Sequence, residues 1–490
     1  MIRRALGIFL ALALVAATAA ATGCGSKSSG SGLDSALSYV PKKAALVIAV
    51  DTNADGDQWQ QVDKLIAKFP FGGQVKQQFK SAFSGRSGID YDNDIKPLLG
   101  NDIVVALTST AGGSPPYIVA WKVKDEGKAR KLIQKNSTKA GTIDGEDVYG
   151  TNGTNLSIVK DGVWVLADNL ANLRAAVERA KGSDHLTESE FNDSLGNLEQ
   201  SSLVRVTGDV QTLYSGDPTG RLFKNLPFIR SQKSFGIVLT AEPDGIEFAF
   251  ENKAGGTLQS KDLPLSTGSD SVPVVRRAGE IGIGIRDPAH LITYYESVFR
   301  SAAPSTYTRF LKGMTKANKT LGIDIDRDVI AQLTGNAAIS ISLNGDFAVR
   351  ADVRDPAALE ATLKKAAPRL KKLAKGKSVG ISTPKNGQGF YALAQANGKK
   401  VVFGVVGKTF VAASDAPRAA QFAGQSPSVV PGAKGSFVIA SDARALANAI
   451  AARQGQGTAA QLVTSSLGDL IGWVETESDG LTGSIKLFVK

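Results

Sequence analysis

The chain has one cysteine, Cys24, and two histidines, His185 and His290, among 490 residues. A lone thiol excludes disulfides within the chain. Because Cys24 sits in an N-terminal leader, the folded remainder also has no thiol nucleophile. Two histidines supply a catalytic triad poorly: His185 lies in a polar segment and His290 in the first turn of an expected helix. No histidine and carboxylate cluster has metal-ligand spacing, and no Gly-x-Gly-x-x-Gly follows a strand. The sequence therefore points to no cofactor and no metal, and to a protein that is not an enzyme. With 42% hydrophobic and 21% charged residues, the composition is that of a soluble globular chain, not of a disordered or multi-span one.

What is present begins with the leader. Arg3 and Arg4 precede an apolar run from Ala5 to Ala21, and small residues Ala21, Thr22 and Gly23 stand before Cys24. The pattern resembles a bacterial lipoprotein signal, cut before a cysteine whose thiol then carries a lipid. It departs from that signal at Ala21, where leucine is usual. An ordinary cleaved signal or an uncleaved span is the alternative. On this reading residues 1–23 are the signal peptide, and residues 24–32 are the lipidated Cys24 with a Gly/Ser tether. Such a tether reaches on the order of 15 Å. The protein is expected outside the cytoplasm, anchored to the outer face of the bacterial cytoplasmic membrane.

The mature chain writes one stretch twice. Gly88-Ile89-Asp90-Tyr91-Asp92-Asn93-Asp94-Ile95 returns as Gly322-Ile323-Asp324-Ile325-Asp326-Arg327-Asp328-Val329. Each copy runs into a Gly-Asn pair, Gly100-Asn101 or Gly335-Asn336, and then a strand-like segment. Further matches recur in the same order at an offset of about 235, roughly ten larger at one middle hairpin. The Ala45 to Val50 run with Asp51 answers Ile281 to Ile285 with Asp287. Tyr117 to Val123 with Asp125 answers Phe347 to Val353 with Asp355. The turn at Asp244-Gly245 answers the turn at Asp479-Gly480. Two duplicated domains follow, residues 33–262 and 263–490, joined by a polar link carrying Pro264 and Pro273. Strands arriving as successive hairpins favour α+β domains, each a mainly antiparallel sheet with helices packed on one face.

Ser38-Tyr39-Val40-Pro41 before an Ala-rich strand, the Gly-Ile-Asp motif running into Leu99-Gly100, and the Val123-Lys124-Asp125 helix start form an ordered set. Together they resemble the bacterial family called domain of unknown function 3352, over most of the mature chain. The resemblance implies the architecture and brings no catalytic residues.

Four motifs invite a chemical reading. The alternating Asp90, Asp92, Asp94 and Asp324, Asp326, Asp328 open like a calcium loop. The sixth position, however, is Ile95 or Val329 instead of glycine, and the twelfth is Asn101 or Gly335 instead of glutamate. Helix capping is the simpler expectation, with Asp94 and Asp328 at matching helix starts. Gly376-Lys377-Ser378-Val379-Gly380 matches a nucleophile elbow but lacks the strand-to-helix context that an elbow needs. Gly407-Lys408-Thr409 resembles the end of a phosphate loop, but Val402 stands where its first glycine belongs. The fourth is charge. Residues 33–262 hold 26 Lys and Arg against 29 Asp and Glu, whereas residues 263–490 hold 28 against 17. The excess is densest at Lys364, Lys365, Arg369, Lys371 and Lys372, a basic helical stripe beside Leu363 and Leu370 that Pro368 interrupts.

The expectation is a lipid-anchored envelope protein with a non-enzymatic binding or scaffolding role. Its partners would be the membrane through Cys24, and anionic lipids or wall polymer through the basic second domain. Nucleic acid is not expected. The alternatives are a carrier of an apolar or lipid ligand and a serine hydrolase built on Ser378.

Overall fold

Leu46-Val47-Ile48-Ala49-Val50 is apolar at every position, the signature of a strand buried on both faces. In the computed structural model it is an interior strand of an antiparallel sheet, paired on both sides. The structure describes residues 32–70, 72–73, 89–111, 114–151, 154–215, 223, 226–370, 380–382, 390–394, 400–453 and 464–490. The expected signal peptide, Cys24 and the tether up to residue 31 lie outside these residues. So do Lys371, Lys372 and Ser378.

The chain divides into two units. The first comprises residues 1–224, 229–255 and 488–490, and the second residues 225–228 and 256–487. In the first unit the strands are β1 (Leu46–Val50), β2 (Ile103–Leu107), β3 (Tyr117–Lys122), β4 (Thr138–Ile143), β5 (Glu146–Thr151), β6 (Thr154–Lys160), β7 (Val163–Ala167), β8 (Val204–Asp209), β9 (Gln232–Glu242) and β10 (Gly245–Ala254). They lie in the order β4-β5-β6-β7-β3-β2-β1-β8-β9-β10. In the second unit they are β11 (Glu280–Arg286), β12 (Asn336–Ser342), β13 (Phe347–Asp352), β14 (Gly380–Ser382), β15 (Tyr391–Ala394), β16 (Lys400–Val406), β17 (Thr409–Ala413), β18 (Phe437–Asp442), β19 (Leu467–Glu477) and β20 (Gly480–Val489). Their order is β14-β15-β16-β17-β13-β12-β11-β18-β19-β20. Strand for strand, the two orders are the same.

The hairpin pattern predicts helices on one face of the sheet, but they cover both. In the first unit Val47, Ala49, Val104 and Ala120 pack with Leu37, Leu173, Val177, Phe191 and Leu195, which belong to helices Gly32–Leu37, Leu170–Lys181 and Glu188–Leu195. Ile48, Val50, Ile103 and Val105 pack on the other side with Trp59, Leu65, Ala129 and Ile133 from helices Asp57–Ala67 and Glu126–Asn136. The reason is local. Successive side chains in a strand point to opposite faces, so an unbroken apolar strand needs cover on both.

The second unit follows the same plan with a thinner core. Among the described residues, its buried side chains fall into four small clusters where the first unit has two large ones. The contrast is sharpest between the first two strands of each unit. Helix Asp57–Ala67 buries Trp59, Val62 and Leu65. Its counterpart in the second unit is a pair of longer helices, Pro288–Ala302 and Pro304–Leu321, which bury only Tyr294 and Leu321.

Candidate functional site

The Asp triplets are caps. Asp90 accepts a hydrogen bond from the Asn93 N–H at 2.8 Å, and its own N–H donates to Asp94 Oδ2 at 2.9 Å. Asp324 repeats this with the Arg327 N–H at 3.1 Å and Asp328 Oδ2 at 2.9 Å. The helix start is thus the first aspartate of each triplet, not Asp94 or Asp328, which reach back to close the turn. The reciprocal pairing satisfies backbone N–H groups that a helix start otherwise leaves open. Arg327 holds Asp328 at 2.7 Å and keeps its carboxyl below the ordinary range. Among the described residues no three His, Cys, Asp or Glu side chains are grouped to hold a metal ion.

The other motifs are also structural where they can be seen. His290 Nε2 lies 3.0 Å from the Leu263 carbonyl, and its N–H is capped by Asp287. After the Ser378 motif the chain enters strand β14 at Gly380, where an elbow requires a helix. Gly407 has φ 59 in the tight turn between β16 and β17, a conformation that suits glycine.

The structure brings together two buried charge clusters that sequence patterning did not indicate. In the first unit Arg205 on β8 binds Asp102, just before β2, with Asp51 nearby at the end of β1. In the second unit Glu280, at the start of β11, accepts from Arg418 Nη2 at 2.6 Å and from the Ser340 hydroxyl, with Arg277 at 3.4 Å. Each cluster joins residues far apart in the chain, and isolated charges in alternating strands carry no periodic signal.

Asp51 is the group nearest to acid–base chemistry. Burial pushes its carboxyl from 3.8 to about 6 against the Asn53 N–H bond; Asp102 adds to the rise and Arg205 opposes it. Between those two values the unfolded chain has released a proton that the fold still holds. Asp51 therefore lowers stability as pH rises from about 4 to about 6, by about 2–3 kcal/mol, with no further change above. Asp51→Asn stays neutral throughout. Urea unfolding of the variant should show that share of the slope removed, and the variant gaining on the wild type at neutral pH. Asp102, raised mainly by its own burial, keeps its share.

The basic stripe is shorter than one continuous helix. Helix Pro356–Ala366 buries Leu359, Leu363 and Ala366 and leaves Lys364 and Lys365 exposed. Pro368 ends it, and Ala367–Arg369 form a single 3-10 turn. Arg369 is partly committed: its Nη1 donates at 3.0 Å to the Leu321 carbonyl, the last of helix Pro304–Leu321. A cation there complements the negative end of the helix dipole. Lys364 and Lys365 have no carboxylate within ion-pair distance among the described residues.

No curated protein matches the chain. Among solved structures, it is similar to a protein designated TP0453 in crystal forms III, IV and I, at 10% identity in each. The TM-scores are 0.27, 0.26 and 0.27. The matches cover 46%, 44% and 48% of this chain and 81%, 79% and 87% of the other. A family model described as protein of unknown function, DUF3352, matches residues 5–389, and the chain belongs to that family.

Proposed function

We propose that the protein is held outside the cytoplasm by a lipid on Cys24 and makes a non-enzymatic binding or scaffolding contact with an anionic surface of the envelope through its second unit. The observation that carries this reading is the exposed pair Lys364 and Lys365, within residues 263–490, where Lys and Arg outnumber Asp and Glu by 28 to 17. The shared strand order supports an origin by duplication, after which only one copy became basic. Each cation close to an anionic surface contributes on the order of 1 kcal/mol, within a Debye length of about 8 Å. A short tether would keep the fold near that range. The Asp triplets serve as caps, and Arg205 with Asp102 and Arg418 with Glu280 as buried ion pairs.

The anchor is tested in cells. Cys24→Ser should move the protein from the membrane fraction to the soluble fraction or medium. The reading fails if the variant stays with the membrane and the wild type carries no lipid.

A further inference from the structure

We propose that the helix pair Pro288–Ala302 and Pro304–Leu321 is an in-plane membrane element that lays its apolar face into the headgroup–acyl boundary of an anionic bilayer. This rests on the reading that the second unit faces an anionic surface, and it names how that surface is held.

The pattern is written in the sequence of the second helix. Tyr307, Phe310, Leu311, Met314 and Leu321 fall on one side at helical spacing, while Arg309, Lys312, Lys316 and Lys319 fall on the other. Between Pro288 and Leu321 five Lys and Arg face a single carboxylate, Glu296. An amphipathic helix of this kind normally turns its apolar side into its own core. Here Tyr295 is 60% exposed, Leu311 45% and Phe310 37%. In the first unit the helix at the same place in the fold holds Trp59 at 1%. The sheet face on this side is also open in part: Ile341 is exposed, and Ile283, Ile339 and Phe437 are only partly buried.

The two helices are fastened to each other more than to the sheet. Phe299 meets Tyr307 and Phe310 edge-on, with ring centres 5.8 and 6.0 Å apart, and Tyr307 stacks on Phe310 at 6.0 Å. The Arg300 guanidinium lies 5.5 Å over the Tyr307 ring. The pair is bounded by two residues with left-handed backbone, Asp287 and Gly322.

Charge decides what covers this face. A protein groove that swallowed the apolar side would leave Lys312, Lys316 and Lys319 pointing into water, where they would add nothing. A bilayer surrounds a half-sunk helix with headgroups, so cations on the far side and flanks gain from anionic lipid while the aromatics and Leu311 sit among the upper acyl carbons. Lys312, Lys316 and Lys319 have no ion-pair partner among the described residues that would compete. No described helix is long and apolar enough to cross a membrane, which suits a helix lying in the plane.

The test uses the full chain carrying Cys24→Ser, which removes the anchor and the only native thiol, with Leu311→Cys labelled by an environment-sensitive nitrobenzoxadiazole. Vesicles containing phosphatidylglycerol should shift the emission to the blue and make it quenchable by spin-labelled acyl chains. Vesicles of phosphatidylcholine alone should not, and the same label at Gln200→Cys in the first unit should stay water-like. Phe310→Ser with Leu311→Ser should weaken vesicle binding roughly tenfold. If the protein pellets with anionic vesicles while the Leu311 label stays water-like, the inference fails and the electrostatic contact stands. If it does not pellet at all, both fail. A blue shift with monomeric short-chain lipid would make the face a ligand groove and overturn the insertion.

Discussion

Trp59→Ala should destabilise the first unit by about 3–5 kcal/mol, whereas Tyr295→Ala should change stability by no more than about 0.5 kcal/mol. The two residues occupy comparable helices in sheets of the same strand order. Trp59 is buried among Ile48, Val50, Leu65 and Val105, and its Nε1–H donates to the Asp51 carbonyl at 3.0 Å. Truncation would leave a large cavity, and the surrounding β-branched side chains are held by strands on two sides. It would also strand the Asp51 carbonyl. Tyr295 has little to lose, since most of its surface already meets water. Urea unfolding monitored for each unit would give the comparison. Equal costs at the two positions would mean that the second unit's helix layer is packed after all.

Arg418→Ala should cost about 3–5 kcal/mol in the second unit, because it abandons a buried carboxylate. Glu280 heads β11 with its side chain almost wholly enclosed. It is met by Arg418 from helix Ala416–Gly424, Ser340 from β12 and Arg277 from its own approach to the strand. The backbone carbonyl of Glu280 also accepts from the Ser441 hydroxyl on β18 at 3.0 Å, so several elements converge on one residue. The double variant Glu280→Gln with Arg418→Met removes both charges and should recover much of the loss. Chemical denaturation of the single and double variants measures this. A double variant as unstable as Arg418→Ala alone would show that packing, not the stranded charge, dominates.

Much of this architecture was legible because its signals are local. Asp161-Gly162 marked the β6–β7 hairpin, and φ is 53 and 72 at those residues, as such a two-residue turn requires. The same dipeptide, Asp144-Gly145, with φ 51 and 82, joins β4 and β5. Those strands, Thr138–Ile143 and Glu146–Thr151, bury only Ile143, Val148 and Gly150. They show little of the apolar alternation that reveals a strand. Spacing alone points to Asp94 and Asp328 as the helix starts, because charge attraction to a helix start does not say which carboxylate bonds the N–H groups. The candidate surface was only half visible. Lys364 and Lys365 were evident as charge density. The amphipathic pair is legible as helices but not as a surface, since a pattern of apolar spacing states which face is apolar and not whether anything covers it.

The central claim is that the second unit contacts an anionic surface. The most direct test is co-sedimentation of the full chain carrying Cys24→Ser with phosphatidylglycerol vesicles across a salt series, beside the same chain with Lys364, Lys365, Lys371 and Lys372 changed to Glu. The account predicts binding at low salt and release at moderate salt. It also predicts loss in the charge-reversed chain, and an unchanged melting temperature when Lys364 and Lys365 alone are reversed, since exposed charges carry little stability. Binding that ignores salt, or that survives the four reversals, would contradict it.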